Sequence, residues 1–351
     1  VALIELLRAI VEEVRLQFAP DARTAIYEVD VVVEHGRIRL RGATSEPAAA
    51  EELQRRISGF QATEAVIYEV VRLPAEDRRD DDHAIVRSAT APLLAGPVIS
   101  EAHLSQLVLG DRVLILREYR RWYQCRVPDG YIGWIHRGYL TRMTELEART
   151  WELGTDAALH VSLGARIVDD CGAVLMRLPW GARVGIVDSV AVLPDGLRGR
   201  PEGDLVPAER MRLRFPLEGR AIVESALLWT GAPYVWGGIT QAGVDCSGLV
   251  QAVFRAHGRE LPRDSDLQAR EGTEVYASAD FRELTPGDLL FFAEKNSRIS
   301  HVAISMGGSM IVHSSLNNAG VRTNDLLGAD PFERELRALL RSVRRVIPPG
   351  S

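Results

Sequence analysis

Lysine is almost absent from this 351-residue chain: Lys295 is the only one, so nearly all of the 42 Lys and Arg positions are arginine. No function attaches to that bias. Cysteine is scarce as well. Cys125, Cys171 and Cys246 lie far apart with no CxxC spacing, which argues against both a zinc knuckle and a disulfide framework, and the odd count leaves at least one thiol free. No apolar run approaches the roughly 18 residues of a membrane helix. The opening VALIELLRAIVEEV is broken by Glu5, Arg8, Glu12 and Glu13, which reads as an amphipathic helix rather than a signal sequence. A net charge of −6 lacks the basic excess that a general nucleic-acid binder needs to displace counterions. What is present, 46% hydrophobic and 26% charged residues, is the composition of an ordinary globular chain, long enough for two or three domains.

Four segments follow from periodicity and breakers, and together they predict an α+β multidomain chain. Residues 1–80 read as a small αββαβ module: a helix over about 2–18, strands DVVVEH and RIRLRG around a turn at Gly36, a helix in SEPAAAEELQRRIS and a strand in AVIYEVVRL. Ser45 is placed to cap the second helix, with Pro47 in its first turn. The element order and the phrase VVVEHGRIRLRG resemble BON domains, small modules of envelope proteins; a ligand-binding role and a plain spacer are both open. The charged run LPAEDRRDDDH (73–83) reads as a linker.

From 84 to 212 the chain carries short strands and frequent turns. LVLGDRVLIL (107–116) and RLPWGARVGIV (177–187) echo each other, with Gly110 aligned on Gly181. A repeat of about 70 residues built of short strands predicts two small barrels, over 84–145 and 150–212. The first copy continues RRWYQCRVPDGYIGWIHRGYL and resembles bacterial SH3-like domains of cell-wall enzymes; the second, ending GDLVPAERM, is more divergent. Trp122, Tyr123, Tyr131 and Trp134 are candidates for a binding face, although aromatics in small barrels more often belong to the core.

The last segment, 217–348, carries the chemistry. In GAPYVWGGITQAGVDCSGLV a cysteine follows an aspartate, and a fixed carboxylate disfavours a neighbouring thiolate. Either Cys246 is structural, or Asp245 has a task that outweighs this cost; capping the helix start is the plain one. SGLVQAVFRAHG has helical spacing, with Gly258 as its stop, so Cys246 falls at a helix N-terminus, where the dipole favours the thiolate. Gly248 permits close packing there. His301 and His313 lie in two strands joined by Gly307-Gly308-Ser309. A three-residue loop sets His301 opposite Ser315 and makes His313 its diagonal neighbour on the same face. One imidazole can then orient the other. The same three residues could ligate an open zinc site, but nothing nearby has paired zinc-ligand spacing, so no metal or cofactor is expected.

The motifs PYVWGG, DCSGLV, LPRDS, PGDLLFF, SHVAI and IVHSS occur in series across about 130 residues. On them the segment resembles the NlpC/p60 family of papain-like cysteine peptidases that cut bacterial cell-wall peptides. The resemblance implies Cys246 as nucleophile, His301 as general base and acid, His313 as the residue orienting it and Tyr234 beside the nucleophile. With the barrels ahead of it, the segment further resembles γ-D-glutamyl-L-diamino acid endopeptidases, whose substrates begin with a free L-Ala. That implies stem peptides of the form L-Ala-γ-D-Glu-diamino acid as partners, diaminopimelate among the diamino acids. Their amine would be held by Asp245, with Ser247 and Ser265 lining the pocket and Glu101 and Tyr131 contributed by the first barrel. Lysis of intact wall, or a binding protein in which the barrels and the first module do the main work, are the competing readings. The BON-like module favours the envelope. A leader removed before Val1 would imply the envelope or secretion, and none would imply the cytoplasm.

Overall fold

In the computed structural model, residues 2–61, 66–75, 80–154, 157–294 and 297–348 are described; part of the expected linker, 76–79, lies outside them. The chain divides into two compact units. Val1–Ile85, Gly96–Ile99 and Arg112–Ala148 make the first, and Val86–Ala95, Ser100–Asp111 and Arg149–Ser351 make the second.

The first unit begins with a helix, Ala2–Phe18, whose Leu7, Val11 and Val14 repeat at the helical interval and are buried. A hairpin of Tyr27–Glu34 and Arg37–Thr44 pairs antiparallel, and Val66–Arg72 joins in parallel after the crossover helix Pro47–Gln61. Leu53 and Ile57 of that helix close the core over Val31, Leu40 and Val70. Ser45 does not cap the helix. Its hydroxyl accepts the Ile26 N–H at 2.8 Å and an Arg126 N–H at 3.0 Å, so the close approach of another strand claims it first. Further on in the same unit, Arg112–Tyr119, Trp122–Arg126 and Ile132–His136 form an antiparallel meander. Of the four aromatic candidates there, Tyr131 is buried, while Trp122, Tyr123 and Trp134 are half-buried.

In the second unit, Thr90–Leu94 and His103–Val108 pair as a hairpin. Seven short strands between Ala158 and Pro207 form one antiparallel sheet. The echoed phrase takes the same local form twice: Gly110 (φ +87°) and Gly181 (φ +83°) are both left-handed, and each stands two residues ahead of an arginine that opens a strand.

The C-terminal part is built on a six-stranded sheet in the order Thr273–Glu274, Leu340–Arg345, Leu289–Phe292, His301–Gly307, Met310–Ser315, Gly320–Asp325. The helix Cys246–Ala256 lies on it. Leu249, Val250, Val253 and Phe254, all on one side, meet Val302, Ile304, Val312 and Val321 in a single buried cluster. This stripe fixes the rotation of the helix, and so the direction of Cys246.

Candidate active site

Cys246 is the first residue of its helix and is buried. Its N-terminal turn is laid directly on a backbone loop: a Cβ at Gly248 would stand 2.2 Å from the Gly238 carbonyl oxygen, so only glycine fits. Asp245 is the N-cap, extended at φ −90°, ψ 179°, and its Oδ1 accepts the Gly248 N–H at 2.7 Å. Oδ2 accepts the Gly237 N–H at 2.8 Å. Both oxygens also receive Arg263, whose Nη1 and Nη2 donate at 3.0 and 2.5 Å. Arg263 is buried too. Its Nε donates to Ser105 Oγ and its Nη1 to Ser247 Oγ, each at 2.8 Å.

Of the two roles expected for Asp245, capping the helix and gripping a substrate ammonium, the cap is seen directly. Each of its oxygens already accepts a backbone N–H and an arginine N–H. The cost of placing a negative charge beside a thiol is offset by a positive charge that the sequence reading gave no role.

The histidines form a chain. His301 Nε2 and His313 Nδ1 are 2.6 Å apart, and His313 Nε2 is 3.0 Å from Asn324 Oδ1. Asn324 is oriented by its own amide, which donates to Glu333 Oε1, and its Oδ1 also accepts from Asn318 Nδ2 at 2.8 Å. His313 Nε2 also lies 3.1 Å from Asn318 Nδ2, and the tautomer that satisfies the Asn324 oxygen places the His313 proton on Nε2 and leaves Nδ1 bare. His301 then donates from Nε2, and its Nδ1 keeps a free lone pair, the state a general base requires. Phe332 stacks on His313 with ring centroids 6.1 Å apart, and Phe292 tilts against His301 at 5.6 Å, so both rings are walled.

Strand register puts these groups on one face. Ile304 pairs with Val312 and Ser305 with Ile311, while His313 pairs with Arg322, two residues from Asn324. The expected three-residue loop is not formed. Gly307 (φ +101°) and Gly308 (φ +60°) turn the chain sooner, so Gly307 pairs with Met310 and Met306 is left as a bulge.

Electrostatics keep the resting pair neutral. Burial, reinforced by Asp245, pushes the Cys246 thiol up to about 12, against the opposing pull of the Val302 and Ser247 N–H groups and of Arg263. Burial, with the neighbouring His313, holds His301 down to about 3. The site holds thiol and imidazole rather than thiolate and imidazolium, so the proton must move as the sulfur attacks.

A pH dependence of stability follows. His301, His313 and His257 are all lowered, each chiefly by burial. An unfolded imidazole binds a proton near pH 6.5, and these three resist it when folded. Their contribution to stability is therefore complete above about pH 6.5 and is lost as pH falls toward their folded values, by about 1.4 kcal/mol per pH unit for each histidine. The urea midpoint is expected to drop between pH 7.5 and pH 5; a midpoint that holds steady would contradict buried neutral histidines.

The structure thus gathers Cys246, Asp245, Ser247, His301 and His313. Tyr234 joins them: its hydroxyl is pushed up by burial and then by the nearby Cys246 and Asp245. Ser265 is buried at the start of the short helix Ser265–Gln268. Glu101 is exposed, and no hydrogen bond among the described residues ties it to this cluster. Tyr131 is buried within the first unit. Arg263, Ser105, Asn324 and Asn318 were missed. Arg263 stands inside the LPRDS motif and could have been weighed as the partner of Asp245. Among the described residues, no group of three or more His, Cys, Asp or Glu side chains is arranged to hold a metal ion.

Residues 231–338 match the NlpC/P60 family. The gamma-D-glutamyl-L-lysine dipeptidyl-peptidase of Bacillus subtilis is 29% identical to this chain over 251 residues, which cover 68% of this chain and 80% of that one. The likeness therefore reaches beyond the span of the family match. A crystal structure of an NlpC/P60 family protein from Bacillus cereus gives a TM-score of 0.62 at 19% identity, over 76% of this chain and 100% of that one. An NlpC/P60 endopeptidase from Photobacterium damselae gives 0.56 at 15%, over 96% and 90%. At such identities the two structures speak for the fold.

Proposed function

We propose, on the premise that the chain carries a C-terminal NlpC/P60 cysteine peptidase domain and hydrolyses cell-wall peptides, that it cuts the γ-D-glutamyl–L-diamino acid bond of stem peptides with a free N-terminal L-Ala. The observation that carries the reaction is the run from Asn324 through His313 to His301, which leaves a bare Nδ1 on the residue preceding Val302, whose N–H meets the Cys246 sulfur. The bond assignment is supported by the name and extent of the Bacillus subtilis relative.

In this reading the Cys246 proton passes to His301 Nδ1 as Sγ bonds to the γ-carbonyl carbon of D-Glu. The Cys246 N–H, with the Tyr234 hydroxyl, steadies the oxyanion. Collapse breaks the C–N bond, and His301 gives its proton to the departing amine. Water, deprotonated by the same nitrogen, then releases the acyl group from sulfur. Ser247 and Ser265 line the acyl side. With Asp245 committed to Arg263, the ammonium of L-Ala falls to Glu101, an exposed acid two residues ahead of the strand that carries Ser105. By its order of elements, the N-terminal module serves envelope association.

The test compares L-Ala-γ-D-Glu-L-Lys and its diaminopimelate counterpart with the same peptides acetylated at the amine, read by mass spectrometry. Free peptides should release L-Ala-D-Glu. Acetylation should cut kcat/KM by on the order of a hundredfold, the loss of a desolvated charge contact. Equal rates would remove the amine from the specificity, and no cleavage of any of the peptides would remove the assigned bond.

A further inference from the structure

Behind the Cys246 helix lies a cavity of about 320 Å³. One wall is the reverse side of that helix, at Ala252, Arg255 and Ala256. These residues stand roughly 9–15 Å along the axis from Cys246, at 1.5 Å per residue. Leu159, Trp180 and Met211 supply an apolar floor.

The charges around this cavity are unevenly paired. Arg255 is answered by Asp111 at 2.5 Å and by Glu260 at 3.6 Å. Arg183 and Arg212 are not answered: neither guanidinium makes a hydrogen bond or an ion pair with any described residue. Arg212 lies over Gly258 at the end of the helix. Arg183 is the more enclosed of the two, and burial together with the nearby Arg255 lowers its pKa. Among the described residues, Glu152 is the single acid in the wall. Asp111, Glu260 and Glu152 act on Arg183 electrostatically, but none of them meets its guanidinium, which stands over the apolar floor without an acceptor. Arg212 is exposed, whereas Arg183 is largely withdrawn from water, and a guanidinium so placed is costly until an anion enters the cavity.

We propose that this cavity is a second binding site, taking a small organic monocarboxylate whose apolar body lies against Trp180, Leu159 and Met211 and whose carboxylate meets Arg183 and Arg212. A volume near 300 Å³, largely apolar with a few convergent polar groups, is the ordinary form of a small-molecule site. The apolar floor selects an organic anion over an inorganic one.

The site is tested on the full chain, without peptide substrate, by calorimetric titration with hexanoate, hexanamide and inorganic phosphate. Hexanoate should bind saturably, with a dissociation constant on the order of a millimolar for a ligand of this size. Hexanamide and phosphate should each bind at least tenfold more weakly. Hexanoate binding should fall tenfold or more in Arg183→Gln, with peptide hydrolysis unchanged. Equal binding of hexanamide, equal or tighter binding of phosphate, or an unaffected Arg183→Gln would each overturn the proposal, as would no hexanoate binding at all. Should Arg183→Gln fail to fold, Ala252→Leu fills the cavity without touching a charge and must weaken hexanoate to the same degree. The comparison of hexanoate with hexanamide on the unaltered chain needs no variant. All of these readouts are independent of which peptide bond the cysteine site cuts.

Discussion

Cys246→Ala leaves no measurable cleavage of L-Ala-γ-D-Glu-diamino acid peptides: a fall on the order of a million-fold in kcat, as expected when the nucleophile of a covalent mechanism is removed. The fold survives the change. With its pKa raised to about 12, the thiol is uncharged at rest, so removing it strands no ion partner in the interior. The helix around it is held by Leu249, Val250, Val253 and Phe254 and by the Asp245 cap, none of which involves sulfur. Circular dichroism and the urea midpoint should therefore stay near those of the parent while mass spectrometry finds intact peptide. Residual turnover well above the uncatalysed rate in a folded Cys246→Ala protein would place the nucleophile elsewhere. Loss of activity together with loss of fold would instead show that the cysteine is a packing residue.

The second large effect concerns Arg263. In Arg263→Met the Asp245 carboxylate keeps its two backbone donors, Gly237 and Gly248, and loses the only cation described beside it. A buried charge stripped of its partner costs about 3–5 kcal/mol, more than most core truncations of similar size. The urea midpoint of the unit containing the site should fall accordingly. Adding Asp245→Asn removes the stranded charge while retaining an oxygen for the Gly248 N–H, so the double variant should recover most of the loss. The coupling between the two positions should exceed about 2 kcal/mol. The thiol reports independently: Arg263 lowers its pKa and Asp245 raises it, so Arg263→Met should slow alkylation by iodoacetamide and the second substitution should restore it. An Arg263→Met protein within about 1 kcal/mol of the parent would mean that water, rather than Arg263, satisfies Asp245.

The residues that could be read ahead of the structure are those whose signals are local. The helix starting at Cys246 follows from a stripe of four apolar positions and a glycine stop. The shared face of His301 and His313 follows from counting through a short turn, and it held even though the turn closed one residue early, because the extra residue went into a bulge at Met306. What escaped is what depends on register over longer stretches or on contacts between separate segments. Asn324 reaches His313 only because His313 pairs with Arg322, a register the sequence does not count out. Asp245 was read beside its chain neighbours, all of which left its charge uncompensated, so a substrate was invoked to answer it. The answer lay 18 residues along the chain, in Arg263. Ser45 failed in the same way, its hydroxyl taken by strands from other parts of the fold.

The Ser105–Arg263 hydrogen bond spans 158 positions and ties the short hairpin ahead of the seven-stranded sheet to the cap of the Cys246 helix. It has company: Gln106 accepts the Ile239 N–H, and His103 donates to the Trp236 carbonyl. A fragment cut at residue 217, where the sequence motifs begin, would contain the cysteine and both histidines and still lack these three props. Its Arg263 would have one acceptor fewer, and the glycine loop under Gly248 would lose its outer support. Contacts so distant along the chain close late in folding. On the ribosome the nucleophile's cradle therefore depends on segments made long before Cys246 itself emerges, and a fragment beginning at residue 217 is expected to hold its catalytic centre less firmly than the full chain.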